Sequence, residues 1–349
     1  MAETALHAHL AARGAAHADD RGVSLPQRFG DPAAEYRTLR ERAAVVDLGF
    51  RTLVVATGED RVGFLQGMLT NDVAALQPGD GCPALLLTIQ GRVVADVRVA
   101  ATADALVLDV DARVRDAFVV ALEKLVIADD VTLSPPPEPV TLVGVEGPGA
   151  AAVLGPALAT LAPGAHATVR VADARVRAVR ASDVGGPGFV LHVPAHAASR
   201  VWDALVAAGA APCGMEALEG RRVEVGVPRI GLDMDEQALA LEVPVEAAIS
   251  HTKGCYLGQE VVARGTARGH VNRRLVGFVL DGPVPPAGTP LVRDGKETGR
   301  LTTVAWSFGL EQVAALGFVR REHWDPGTEM AVRHGHAVTV ARVASWPIA

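Results

Sequence analysis

The chain has 349 residues, 49% hydrophobic and 21% charged, with a formal net charge of −7 and a pI near 5.9. Its length exceeds what one hydrophobic core usually serves, so two or three domains are expected, and its composition excludes wholesale disorder. The acidic balance excludes a broad phosphate-binding face, so no direct nucleic-acid partner is expected.

Residues 1–30 are rich in alanine and histidine and read as a helical or mobile arm. Residues 33–46 predict a helix and 51–57 a strand. Asp60 is placed to cap a helix on which Phe64, Leu65, Met68 and Leu69 share a face. Apolar runs at 84–89, 93–99 and 106–110 predict strands, the first two joined by a Gln90-Gly91 turn. Val114, Phe118, Leu122 and Leu125 then recur at helical spacing. This is an α+β order with hairpins, not a βαβ alternation. The proline-rich stretch at 134–139 interrupts it. A similar order follows, with a strand from Val140, a helix around 150–161, strands at 175–181 and 189–193, and helices near 201–205 and 215–225. Beyond about residue 270, short alternating segments separated by Pro285-Pro286, Asp294-Gly295 and Asp325-Pro326-Gly327 predict a small β-barrel or sandwich. The expected division is an arm over 1–30, α+β subdomains over 31–139 and 140–268, and a β-barrel domain over 269–349.

Three cysteines, Cys82, Cys213 and Cys255, lie far apart without CxxC or Cys/His zinc spacing, so no self-contained metal site is expected. The sequence shows neither a basic-then-apolar leader nor a run of roughly 18 apolar residues. A soluble, cytoplasmic protein with reduced thiols and no membrane partner is the expectation. The stretch Gly144 to Gly149 lacks the lysine of a phosphate loop, and its Pro148 removes a donor, so it is set aside. His334 and His336 read as a surface turn, and Thr70, Asn71 and Asp72 as closing the helix before them.

The eight residues Lys253-Gly254-Cys255-Tyr256-Leu257-Gly258-Gln259-Glu260 carry the densest chemistry. A helix continuing through Val261, Val262 and Ala263, capped by Ser250 or Thr252, would set Cys255 near a helix N-terminus. Unpaired N–H groups there favour a thiolate, with Lys253 and His251 close in sequence. Gly254 and Gly258 would each cost about 1 kcal/mol inside a helix, so a close approach to the backbone is expected. The other reading is a tight turn with a buried, inert thiol, and spacing leaves both open.

Several segments together carry a resemblance. Phe64-Leu65-Gln66-Gly67 with Leu69-Thr70-Asn71-Asp72, Gly91-Arg92-Val93-Val94-Ala95-Asp96, residues 222–231 and Pro244-Val245-Glu246-Ala247 resemble the folate-binding aminomethyltransferase superfamily of the glycine cleavage T-protein. The motif at 253–260, with Val261-Val262-Ala263-Arg264 after it, resembles one branch, the YgfZ-type folate-binding proteins that support iron–sulfur cluster assembly and repair. The resemblance runs from about residue 33 to 345. It implies an α+β, aminomethyltransferase-like fold, with two α+β subdomains around a central channel that receives tetrahydrofolate or a one-carbon derivative, and a C-terminal β-barrel.

By the same resemblance, Asp96 interacts with the reactive nitrogen region of the folate, from a strand face shared with Val94 and Arg98. Cys255 acts beside bound folate, with Lys253 lowering its pKa and Gln259 and Glu260 orienting the turn. Arg222, Arg229 and Arg264 are candidates for the glutamate tail, with structural ion pairs as the alternative. Tyr256 is a candidate for stacking on the pterin or aminobenzoyl ring, with plain packing as the alternative. One cysteine cannot hold an iron–sulfur cluster, so a partner, a second subunit or an exogenous thiol would have to complete it; the partners that the resemblance implies are iron–sulfur proteins or their assembly machinery. Two departures stand out. Gly185-Gly186-Pro187-Gly188-Phe189 lacks the glutamate that the transferases offer to the pterin, whose unpaired donors would cost about 1–3 kcal/mol each. By the resemblance, the transferases normally lack a cysteine at the position of Cys255. The expected function is therefore folate-dependent support of iron–sulfur clusters, with aminomethyl transfer or a related demethylation as the alternative and a non-catalytic folate-sensing or protein-binding module, in which Cys255 is only packed, as a third reading. Whether any reaction turns over stays open.

Overall fold

A computed structural model describes residues 1–269 and 271–348, excluding the side chains of Ala267 and Arg268. His270 and Ala349, the second and last residues of the expected barrel domain, lie outside the described residues. The chain forms two compact units, one of residues 1–88, 94–217 and 247–257, the other of residues 89–93, 218–246 and 258–349. The segments 89–93 and 218–246 thus group with the barrel, which chain order does not indicate.

The first unit contains two large sheets. One has the strand order Gly81–Leu87, Val93–Ala101, Leu106–Asp111, Arg51–Thr57, Thr132–Ser134. Its outer face presents Val54, Ala95, Val97, Val99, Leu108 and Val110 to Phe64, Leu65, Phe118 and Leu122 of the helices Arg61–Met68 and Arg115–Glu123. Side chains alternate along a strand, so Arg51, Asp96, Arg98 and Asp109 fall on the inner face. The other sheet runs His166–Val171, Ala174–Val179, Gly188–Pro194, Val140–Glu146, Ala44–Asp47, Ala211–Pro212. Its outer face buries Val143, Val145, Val176 and Leu191 against Val201, Trp202 and Leu205 of the helix Ala198–Ala207. Full burial of each such side chain stabilises the fold by roughly 1.5–3 kcal/mol.

Three expectations about this unit are corrected. The first 28 residues are not an arm: Ala2–Glu3, Val23–Arg28 and Ala16–Asp20 form a three-stranded sheet, and Leu6 and Leu10 are buried in the same core as Trp202. Those few leucines anchor a stretch whose alanines and histidines conceal them. The helix expected over 33–46 is Pro32–Glu41, followed by the strand Ala44–Asp47, where the buried, β-branched Val45 and Val46 suit a sheet better. The helix expected over 150–161 breaks at Gly155-Pro156 into Ala150–Leu154 and the 3-10 turn Pro156–Thr160, because proline cannot donate to the preceding turn.

The second unit is built on a closed six-stranded barrel of Arg273–Asp281, Gln312–Arg320, Lys296–Ser307, Pro290–Arg293, Glu329–His334 and Ala337–Ala344. Phe278, Leu280, Leu291, Leu301, Val332 and Ala341 fill its interior, and closure leaves no free sheet edge. The architecture is α+β with a C-terminal β-barrel, as the sequence led one to expect.

Candidate functional site

On the inner face of the first sheet, Arg51 Nε donates to Asp109 Oδ1 at 2.6 Å, and its Nη1 donates to Asp96 Oδ2 at 3.0 Å. Arg98 donates to Asp109 Oδ2 at 3.2 Å and to Asp183 Oδ1 at 2.7 Å. Burial opposes the charge on Arg51, but Asp109, Asp96 and Asp183 outweigh it and hold its pKa well above the ordinary value. Asp96 shares its face with Val94 and Arg98, alternating with the buried Ala95 and Val97. Its Oδ2 is held by Arg51, whereas its Oδ1 is buried and meets no partner among the described residues. A buried carboxylate oxygen without a donor costs about 1–3 kcal/mol, so this atom has the capacity to accept from a water or a ligand.

The loop at 182–188 alters the first departure noted in the sequence. No acid occupies 185–189, yet Asp183 stands just before it, and Glu146 lies directly beneath. Ser182 Oγ donates to Glu146 Oε2 at 2.6 Å and the Asp183 N–H to Glu146 Oε1 at 2.9 Å. A Cβ on Gly188 would come within 2.3 Å of Glu146 Oε2, so the glycine is what admits the carboxyl. Burial, then the charge of Asp183, pushes Glu146 up to about 8. Arg51, Asp109, Asp183 and Glu146 all escaped the sequence reading. The available signal was an acid or arginine interrupting otherwise apolar strands, as in Leu106–Asp111.

The motif at 253–260 folds differently from its reading as a helix start. The helix is Gln259–Arg268, with Gly258 at its N-cap in the left-handed region, φ +82. Cys255 is exposed and precedes that cap, so the helix-terminus argument does not reach its thiol. Ser250 Oγ instead accepts the N–H of Lys253 at 3.2 Å, capping a turn ahead of the cysteine. Gly258 is explained by its φ, and a Cβ on Gly254 would meet nothing within 4 Å, so the expected close approach to the backbone is absent there.

Lys253 is not an activator of Cys255. Its Nζ donates to the carbonyls of Gln66, Leu69 and Asn71 at 2.6, 2.7 and 2.8 Å, closing the C-terminal end of the helix Arg61–Met68. Burial draws its pKa down to about 8, opposed by Asp72 and by the thiol of Cys82. Burial pushes that second thiol up to about 12. Lys253 Nζ also lies 5.2 Å from the ring centroid of the buried Tyr256, which makes Tyr256 a packing partner of the lysine. Thr70 Oγ1 donates to the Ala248 carbonyl at 2.6 Å, and Asn71 Nδ2 to those of Pro83 and Ala247 at 2.7 and 3.0 Å, so these side chains are structural.

In the second unit, Gln259 is half-buried at the first helical position, while the exposed Glu260 pairs with Arg264 one turn on. Glu260 therefore engages its own helix and does not orient the turn. Arg222 is 1% exposed, and its five N–H groups reach Glu219, the Val227 carbonyl, Asp233 and Thr303. Arg229 pairs with Glu219 at 2.6 Å. Both arginines are committed inside the protein, which corrects their candidacy for a glutamate tail.

The chain matches the GCVT N-terminal domain family over residues 6–253 and the glycine cleavage T-protein C-terminal barrel domain family over residues 273–348. It belongs to the glycine cleavage T-protein family. The aminomethyltransferase of Thermus thermophilus is 30% identical, over 98% of this chain and 97% of the relative. That of Synechococcus sp. is 29% identical over 92% of each chain. The crystal structure of the glycine cleavage system aminomethyltransferase T from Bartonella henselae has the same fold, with a TM-score of 0.90 at 20% identity across 100% of this chain and 98% of that one. These T-protein relatives are named for aminomethyl transfer and not for iron–sulfur support. Asp96 and Lys253 lie inside the first matched stretch, and Cys255 lies between the two. Among the described residues no helix is long and apolar enough to cross a membrane.

Proposed function

We propose that this T-protein family member binds tetrahydrofolate, or a one-carbon derivative of it, at Asp96 in the cytoplasm and acts in folate-dependent aminomethyl transfer. The observation that carries this reading is the divided Asp96 carboxylate, with Oδ2 fixed by Arg51 and Oδ1 buried without a donor. Folate, when bound, supplies the nitrogens that take up the one-carbon unit. Asp96 Oδ1 accepts an N–H of that region and is placed to take its proton, a role worth roughly 10²–10⁴ in rate. Arg51, anchored on Asp109, sets the plane of the carboxylate, and burial strengthens each of these contacts. Asp183, two residues ahead of the stretch that lacks the transferases' glutamate and held by Arg98 through one oxygen, supports this reading as a neighbouring acid. The test is ammonia release from an aminomethyl-lipoyl carrier in the presence of tetrahydrofolate. Release that disappears in Asp96→Asn is the expected result, and absence of release from the wild type rules the reading out.

A second reading keeps folate binding and assigns the protein to iron–sulfur cluster support. It is favoured by the exposed Cys255, set on a loop that Lys253 and Tyr256 pin from below. An accessible thiol on a fixed base suits transient metal, sulfur or mixed-disulfide contact. Here Cys255→Ser should abolish support of iron–sulfur enzymes in cells while leaving folate affinity unchanged, and full support by that variant removes this reading.

A further inference from the structure

The inner faces of the two sheets in the first unit also line a cleft of about 680 Å³, within the size range of small-molecule sites. Leu53, Val55 and Val107 supply an apolar wall from one sheet, and Arg177 and His192 stand on the other. The strand Arg51–Thr57 links this cleft to the Asp96 network. Arg51 begins the strand in the network, and Leu53, Val55 and Thr57, next along the same strand face, line the cleft.

The cationic groups at the two ends differ in how far they are satisfied. Arg51 and Arg98 are closed by Asp109, Asp96 and Asp183. Arg177 is half-buried, and its guanidinium makes no hydrogen bond or ion pair among the described residues. Burial lowers its pKa, and the charge of Asp104, which also lines the cleft and accepts from Thr102 Oγ1 at 3.0 Å, opposes that. His192 is 6% exposed, and its Nδ1 is buried without a partner among the described residues. Burial, then Arg177, His166 and Arg98, draws His192 down to about 3, so its ring is neutral and can donate one N–H without adding a charge. A guanidinium with open donors beside an unpartnered imidazole, facing an apolar wall, matches a carboxylate attached to a hydrocarbon or aromatic body.

We propose that this cleft is a second ligand site for a small carboxylic acid with an apolar body, its carboxylate on Arg177 and His192 and its body against Leu53, Val55 and Val107. The site is separate from the one assigned to folate and does not depend on that assignment.

The test is calorimetric titration of the full chain with benzoate, with benzyl alcohol as the uncharged comparator, together with nitrogen-15 spectra of the histidine rings. Saturable benzoate binding at about 1 mM or tighter is expected. Binding should weaken at least about tenfold for benzyl alcohol and for Arg177→Met, as for a lost charged hydrogen bond. The His192 ring signals should move on saturation, and the thermal midpoint and tetrahydrofolate titration of Arg177→Met should match the wild type. Absent benzoate saturation, equal binding of benzyl alcohol, an unchanged affinity in Arg177→Met, unmoved His192 signals, or competition between benzoate and tetrahydrofolate would each overturn the proposal.

Discussion

Two arginine–carboxylate networks, one in each unit, use the same chemistry to different ends. Each donor nitrogen of Arg222 is hydrogen-bonded within the chain, and Asp233 accepts on both oxygens, from Thr302, Thr303, Arg222 and the Arg229 N–H. Arg51 and Arg98 are likewise paired with carboxylates, but Asp96 keeps one buried oxygen without a donor among the described residues. Residue type does not separate these networks. What separates a structural network from one facing a ligand is whether its hydrogen bonds close within the chain.

The largest effect expected from this contrast is on activity. Asp96→Asn should lower the rate of ammonia release by roughly 10²–10⁴ while the thermal midpoint stays near that of the wild type, and an unimpaired rate would erase the distinction between the networks. Next in size is Arg222→Met, which removes the guanidinium facing the fully buried Asp233 and should cost about 3–5 kcal/mol in urea unfolding. Unchanged stability with weakened tetrahydrofolate binding would instead return Arg222 to the ligand site. Lys253→Met should destabilise by about 1–3 kcal/mol through orphaned carbonyls at the end of the helix Arg61–Met68, whereas Cys255→Ser should stay within about 0.5 kcal/mol of wild type. Equal losses in both variants would show that the thiol, too, is part of the packing.

The smallest effect is sought in pH dependence. Glu146 is raised from 4.5 to about 8, so the stability it contributes is complete below about pH 4.5 and is lost as pH rises through about 8. Thermal midpoints measured from pH 5 to 8.5 should therefore fall more steeply for the wild type than for Glu146→Gln. Parallel curves would mean that this carboxyl does not titrate with folding.

Local pattern made some elements readable and left others hidden. The strand Arg51–Thr57 is legible to the residue because its apolar run is bounded by turn residues, and the barrel because alternation and turn pairs repeat beyond residue 270. The shared face of Val94, Asp96 and Arg98 followed from strand periodicity alone. Partners distant in sequence did not follow. Arg51 meets Asp109 across 58 residues, and Lys253 meets the helix-end carbonyls across more than 180. Sequence adjacency associates Lys253 with Cys255, whereas that second distance carries its ammonium to the end of a helix. The separation of Cys255 from the helix N-terminus turned on one backbone angle at Gly258, which residue identity permits but does not dictate.

The most direct test of the open Asp96 oxygen is calorimetric titration of tetrahydrofolate into the wild type and Asp96→Ala. A charged hydrogen bond lost on substitution predicts saturable binding by the wild type and at least about tenfold weaker binding by the variant. No binding by the wild type, or equal affinity in the two proteins, would contradict the assignment of Asp96 to the folate site.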